Sequence, residues 1–248
     1  MSAAIDKPRG GRSPRPPYWG LSGLGWCFAN LLALSVGLFP RIILASSQAD
    51  SAGPPPALRA LAVGQVAYLL LVYPLVLLAR AGRGERAEPP QSSSPLALRA
   101  VAPEWLLWLL TALPFLAVGA YLADGTAADA VRVALLSALL LPTAWALARL
   151  ARRGGTTMSL VLLLVVLAVL GGPAAWYLAV EFAPSPPPAW LWYAWPAALA
   201  WSAGAARADA WLPQPLWAWL LWPGVGLAVL CLDMLLPAPR AQPGRELF

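Results

Sequence analysis

The 248-residue sequence contains no histidine, and that absence removes more chemistry than any residue present adds. Without an imidazole there is no His-ligated haem, no Glu-x-x-His di-metal site, no H-E-x-x-H zinc centre, no Ser–His hydrolytic dyad and no imidazole proton relay. Lysine is nearly as scarce. Lys7, in the N-terminal tail, is the single one, so no G-x-x-x-x-G-K-[ST] phosphate loop exists and the chain cannot hydrolyse ATP by that route. Energy input would have to come from a partner or from an ion gradient. The two cysteines, Cys27 and Cys231, both lie inside apolar segments, where they read as small buried hydrophobes rather than as a disulfide or metal pair. No constellation of side chains reads as catalytic, and no cofactor or metal site is expected.

Charge is sparse too, at 11% of residues, while 60% are hydrophobic and the mean hydropathy is +0.65. A water-soluble domain of this length could not cover so much apolar surface with polar groups. Apolar runs of about 20 residues, enough to cross a hydrocarbon layer of about 30 Å, recur along nearly the whole chain. Stretches such as SLVLLLVVLAVLGG are apolar all round, without the alternation that a β-barrel requires. The fold class expected is therefore all-α, a polytopic helical membrane protein.

A Pro- and Arg-rich tail (1–18) precedes spans predicted at about 19–44, 57–79, 103–123, 130–150, 158–180 and 215–236, and a short tail (237–248) follows. Residues 189–206 are apolar and Trp-rich, but short and interrupted by Pro196. Counting them as a span makes seven; reading 183–213 as an interfacial or re-entrant element makes six. Trp190, Trp192, Tyr193, Trp195, Trp201 and Trp211 suit either, because amphipathic rings favour the headgroup zone.

The net charge of +6 does not point to nucleic acid, because the arginines stand in short runs between apolar segments, where they set topology and meet anionic lipid. Lys7, Arg9, Arg12 and Arg15 precede the first span; Arg80, Arg83, Arg86 and Arg99 lie between the second and third; Arg149, Arg152 and Arg153 lie between the fourth and fifth. The intervening loops carry no Lys or Arg. The positive-inside rule thus predicts a cytoplasmic N-terminus, and it barely separates the six-span from the seven-span topology.

Few ionisable groups fall within the spans, which argues against an ion-coupled carrier. Asp233 is the deepest acid, a candidate intramembrane proton or cation site or, alternatively, a snorkelling acid paired with arginine. Glu104, just after Pro103, reads as an acid at the positive end of a helix dipole. Arg41, Arg59 and Arg132 read as interfacial anchors, and Asp124 and Glu181 as loop residues.

The middle of the chain carries a further pattern. The second span runs into Gly82, Gly84-Glu85-Arg86, then Ser94-Pro95-Leu96; Pro114 stands inside the third span, Gly125 in the turn after it, and an Ala151-Arg152-Arg153 break precedes a very hydrophobic fifth span. Over about 57–173 this order resembles the membrane subunits of type-2 ABC transporters, exporter-like permeases without an ATPase domain of their own. The family's G-T-L-E-type segment after the E-R pair is replaced here by AEPPQSSS. The resemblance implies six spans, an external hydrophobic element before the last, and both termini inside, in a bacterial cytoplasmic membrane. It further implies a homo- or heterodimer of membrane subunits, with Gly82, Gly84, Glu85 and Arg86 on a coupling loop that meets a separate ABC ATPase subunit. From the residues alone that loop reads equally as an ordinary positive-inside loop. A non-catalytic structural or assembly subunit of a larger membrane complex is the competing expectation, since Ala and Trp abound and polar sites are few.

Overall fold

The computed structural model describes residues 19–44, 56–85, 98–182, 188, 192–205 and 215–236. All regular structure among them is helical: α1 (Trp19–Leu44), α2 (Ala57–Ala67), α3 (Tyr73–Glu85), α4 (Leu98–Leu122), α5 (Ala127–Ala151), α6 (Gly155–Val166), α7 (Gly172–Phe182), α8 (Pro196–Ala203) and α9 (Leu216–Leu235). Single π-turns, Tyr68–Val72 and Leu167–Gly171, join α2 to α3 and α6 to α7, so each pair forms one continuous helical rod. Among the described residues, five helices are long and apolar enough to cross a membrane: α1, the α2–α3 rod, α4, α5 and α9; the apolar stretch of the α6–α7 rod is shorter, Thr156–Gly171. The chain is a polytopic helical membrane protein.

Side-chain exposure agrees with a lipid solvent. Phe28 (66%), Leu164 (64%) and Leu227 (64%) stand on the outside, while the amides Asn30 and Gln65 are buried. In water that distribution would be inverted; in a bilayer, with no water to satisfy amides, it is the stable one.

Several predicted boundaries move: the second span runs on to Glu85, the fifth starts at Gly155, and the third and fourth start earlier than expected. Glu104 does not open its helix: α4 starts at Leu98, and Pro103 and Pro114 both lie inside it. A proline costs one backbone bond, and a membrane helix absorbs that loss where neighbouring helices re-satisfy the freed carbonyl. The fourth helix starts at Ala127 rather than near 130, because Thr126 caps it. The Thr126 backbone N–H donates to Asp129 Oδ2 at 2.7 Å and its hydroxyl to the same oxygen at 2.9 Å, a capping box with Asp129 in the first turn.

Topology follows from the ends that meet. Ser22 at the start of α1, Arg80 near the end of α3 and Glu104 near the start of α4 are in contact. Trp105 of α4 also meets Trp145 of α5 edge-on, and Arg149, near the end of α5, bonds Asp233, near the end of α9. All these residues therefore share one end, from which the Arg-bearing loops emerge, here termed the basic end. At the opposite end the turn after α4, the start of α2 and α8 converge. Within the bundle α1 lies close on α2 through small residues: a Cβ added to Gly37 would stand 2.6 Å from Ala57 Cα, so any side chain there forces the helices apart.

The Trp-rich region holds α8, of eight residues. At 1.5 Å per residue it is about 12 Å long, far short of a bilayer crossing of about 30 Å. It is nonetheless buried: Pro196, Ala197, Ala198, Leu199, Ala200 and Ala203 are inside, seated against α2, α5 and α7.

Candidate functional site

Ser22, Trp26 and Asn30 lie four residues apart on α1 and so on one face of it; all three are buried. Each makes a polar contact with another helix, and together they form a column running inward from the basic end.

At the head of the column, Arg80 grips Glu104 with both terminal nitrogens, Nη1 to Oε2 at 2.7 Å and Nη2 to Oε1 at 2.8 Å. Its Nη2 also donates to Ser22 Oγ at 2.6 Å, and the Ser22 hydroxyl donates in turn to Glu104 Oε1 at 2.5 Å. Glu104 is 4% exposed and the Arg80 side chain 16%. This is bidentate, charge-assisted bonding in a largely desolvated place, the strong kind, and it ties α1, α3 and α4 into one block. The Tyr68 hydroxyl, at the π-turn, adds a bond to the Ser22 carbonyl at 2.9 Å. Below it Trp26 stacks on Trp108, with centroids 5.5 Å apart, and donates Nε1–H to the Trp108 carbonyl at 3.1 Å; Tyr68 and Tyr73 meet Trp108 edge-on. Further in, Gln65 Nε2 donates to Asn30 Oδ1 at 2.8 Å and Ser137 Oγ to Gln65 Oε1 at 2.7 Å, joining α1, α2 and α5.

A second clamp closes the basic end on the other side. Asp233 of α9 accepts from Arg149 at 3.0 Å and from Arg153 Nε at 2.9 Å; Arg153 also bonds the Asp233 carbonyl, which caps the end of α9. Asp233 is thus an arginine-paired acid, one of its two sequence readings. Arg80 is a different case. It stands within a helix and is largely buried, not in a loop, and Glu104 is its partner rather than a helix-dipole acid. Arg132 is not an interfacial anchor either, since it is 2% exposed and paired with Asp129. Arg59 lies over the Trp201 ring, 5.3 Å from its centroid, and Glu181 belongs to α7 rather than to a loop. Cys27 is partly buried; Cys231 is exposed on α9, contrary to the expectation of a buried residue.

Of the coupling-loop residues, Gly82, Gly84 and Glu85 form the last turn of α3, two to five residues beyond Arg80; Arg86 lies outside the described residues. The helix that bears the Gly-Glu pair is therefore the one locked to α4 and α1. Chemically the arrangement is a brace, because the Glu104 carboxylate is taken up by a guanidinium and a hydroxyl and presents no acid–base or nucleophilic pair. Among the described residues, no three His, Cys, Asp or Glu side chains gather as a metal site would need. No protein-family model, curated protein or solved structure matches this chain.

The column was readable in part. Asn30 and Gln65 are amides within apolar runs, and the Ser22–Trp26–Asn30 spacing is visible in the sequence. The pairing of Arg80 with Glu104 carries a weaker signal, two opposite charges at the predicted same end of adjacent spans.

Proposed function

We propose that the chain is a non-catalytic, membrane-embedded transport subunit, the permease of an ATP-driven ABC-type exporter, on which a separate ATPase acts from the basic end. The observation that carries this reading is the continuity of α3: Gly82, Gly84 and Glu85 sit on the helix whose Arg80 is bonded to Glu104 and Ser22. A push on the loop after Glu85 would be passed to α1 and α4 as a block rather than absorbed by a slack linker. In this reading the basic end and both termini are cytoplasmic, two membrane subunits pair, and lipid surrounds the rest. The resemblance of residues 57–173 to type-2 permeases supplies the identity of the partner.

A structural or assembly subunit of a larger membrane complex is the second reading. It is favoured by α9, which exposes Leu220, Leu227, Leu232, Met234 and Leu235, and by Glu104 and Asp233, which are taken up inside the chain at the basic end. An ion-coupled carrier is the least supported, because Asp233 is already held by two arginines.

Affinity purification from native membranes in mild detergent, followed by mass spectrometry, separates these readings. The permease reading expects a soluble ATPase with a phosphate-binding loop, lost when Gly84, Glu85 and Arg86 are all replaced by Ala. Recovery of other membrane subunits without an ATPase would overturn it in favour of the assembly role.

A further inference from the structure

We propose that α8 is a gate, seated in the end of the bundle opposite the basic loops and latched there by Arg132. As a gate for cargo it rests on the transport reading; its release from the seat can be tested without any cargo or ATPase, so the two can fail separately.

The seat is smooth. The residues of α8 are Pro, Ala, Ala, Leu, Ala, Trp, Ser and Ala, and just after them a Cβ added to Gly204 would stand 2.7 Å from Arg59 Cα, so backbone lies on backbone. The hydrogen bonds that Arg132 and Trp222 donate to this segment reach its main-chain carbonyls. Arg132 Nη1 donates to Ala205 O at 3.3 Å and Ala203 O at 3.5 Å, and Trp222 Nε1 donates to Ala194 O at 3.2 Å. One anchor holds each end of the short helix. A cation at its C-terminal carbonyls also suits the helix dipole.

Two features make Arg132 a latch and not a strut. Its bonds to α8 are long beside the 2.6–2.8 Å of Arg80. Most telling, its counter-ion Asp129 is on the same helix, three residues away, and is itself held by Thr126. If α8 leaves, the charge on Arg132 stays compensated, and no lone ion is stranded in the membrane. Buried ionisable residues within membrane helices are costly and are kept where they do something; here the group is placed so that it can let go.

The test uses full-length protein in detergent, with Cys27 and Cys231 replaced by Ser and one new cysteine placed at a time. Ala200→Cys reports on α8 and Ala144→Cys on the core of α5; both positions are fully buried. With Arg132 present, both should react slowly with a small water-soluble maleimide. With Arg132→Met and Asp129→Asn together, so that no carboxylate is left without its counter-ion, Ala200→Cys should react at least about tenfold faster, as expected for lost hydrogen bonds from a charged donor, while Ala144→Cys stays slow. Equal rates at Ala200→Cys with and without Arg132, or acceleration at both positions together, would overturn the proposal. Should that double variant fail to fold, Trp222→Phe removes the other anchor's N–H and keeps a ring; a smaller rise at Ala200→Cys alone is expected, and no rise contradicts the gate.

Discussion

The two ends of the bundle both hold buried arginine–carboxylate pairs, yet the pairs are built differently. At the basic end the partners come from different helices. Arg80 reaches Glu104 across 24 residues of sequence, and Arg149 and Arg153 reach Asp233 across 84 and 80. At the opposite end Arg132 and Asp129 are three residues apart on one helix, and what Arg132 gives to α8 goes to main-chain carbonyls. Moving helices at the basic end strands a charge; moving α8 at the other strands none. The basic end is therefore braced and the opposite end latched, a division suited to a subunit driven from one side and opened on the other.

Breaking the brace should have the largest effect. Glu104→Leu leaves Arg80 with its counter-ion gone and should cost about 3–5 kcal/mol, whereas Arg80→Met combined with Glu104→Leu should recover most of it. Thermal unfolding of the three variants in detergent checks this, and additive losses would mean that the two residues do not act as a pair. Arg132→Met combined with Asp129→Asn, which leaves no carboxylate without its counter-ion, should cost less, about 1–3 kcal/mol, because the amide oxygen still accepts from Thr126. A loss as large as that of Glu104→Leu would erase the distinction between brace and latch. Gln65→Leu removes both amide links of the polar column and should cost about 1–2 kcal/mol, most visibly as faster proteolysis of the α1 connection. Asp233→Asn sits lowest, about 1 kcal/mol, since the amide oxygen still accepts from Arg149 and Arg153 and Arg149 is 34% exposed. In the proposed exporter it should leave transport intact; abolished transport would revive the ion-coupled reading.

The helices were legible because each long apolar run needs nothing but its own residues to declare itself. The brace was less so. Arg80 and Glu104 are each visible, but Arg80 looks like one more loop arginine until the helix is seen to run on to Glu85, and Pro103 disguises Glu104 as a helix start. Arg132 was misread for a similar reason: at a predicted span end an arginine usually snorkels, and only the burial of α8 over that end turns it inward. Asp233 came closest, since an acid near a span end in an arginine-rich protein has few other ways to be satisfied. For α8, length was decisive. Pro196 predicted the interruption, but the burial of so short a helix depends on Gly204 and the alanines fitting a seat that α2, α5 and α7 build together, which no local pattern encodes.

The division between ends has physical meaning if the two ends face opposite sides of a membrane, the basic one inward. In a background lacking Cys27 and Cys231, single cysteines at Ser47→Cys, between α1 and α2, and Ser92→Cys, between α3 and α4, can be exposed to an impermeant maleimide in intact cells. Labelling at Ser47→Cys without permeabilisation, and at Ser92→Cys after it, is the result expected. Labelling of both from the same side, or in the reverse order, would contradict the account.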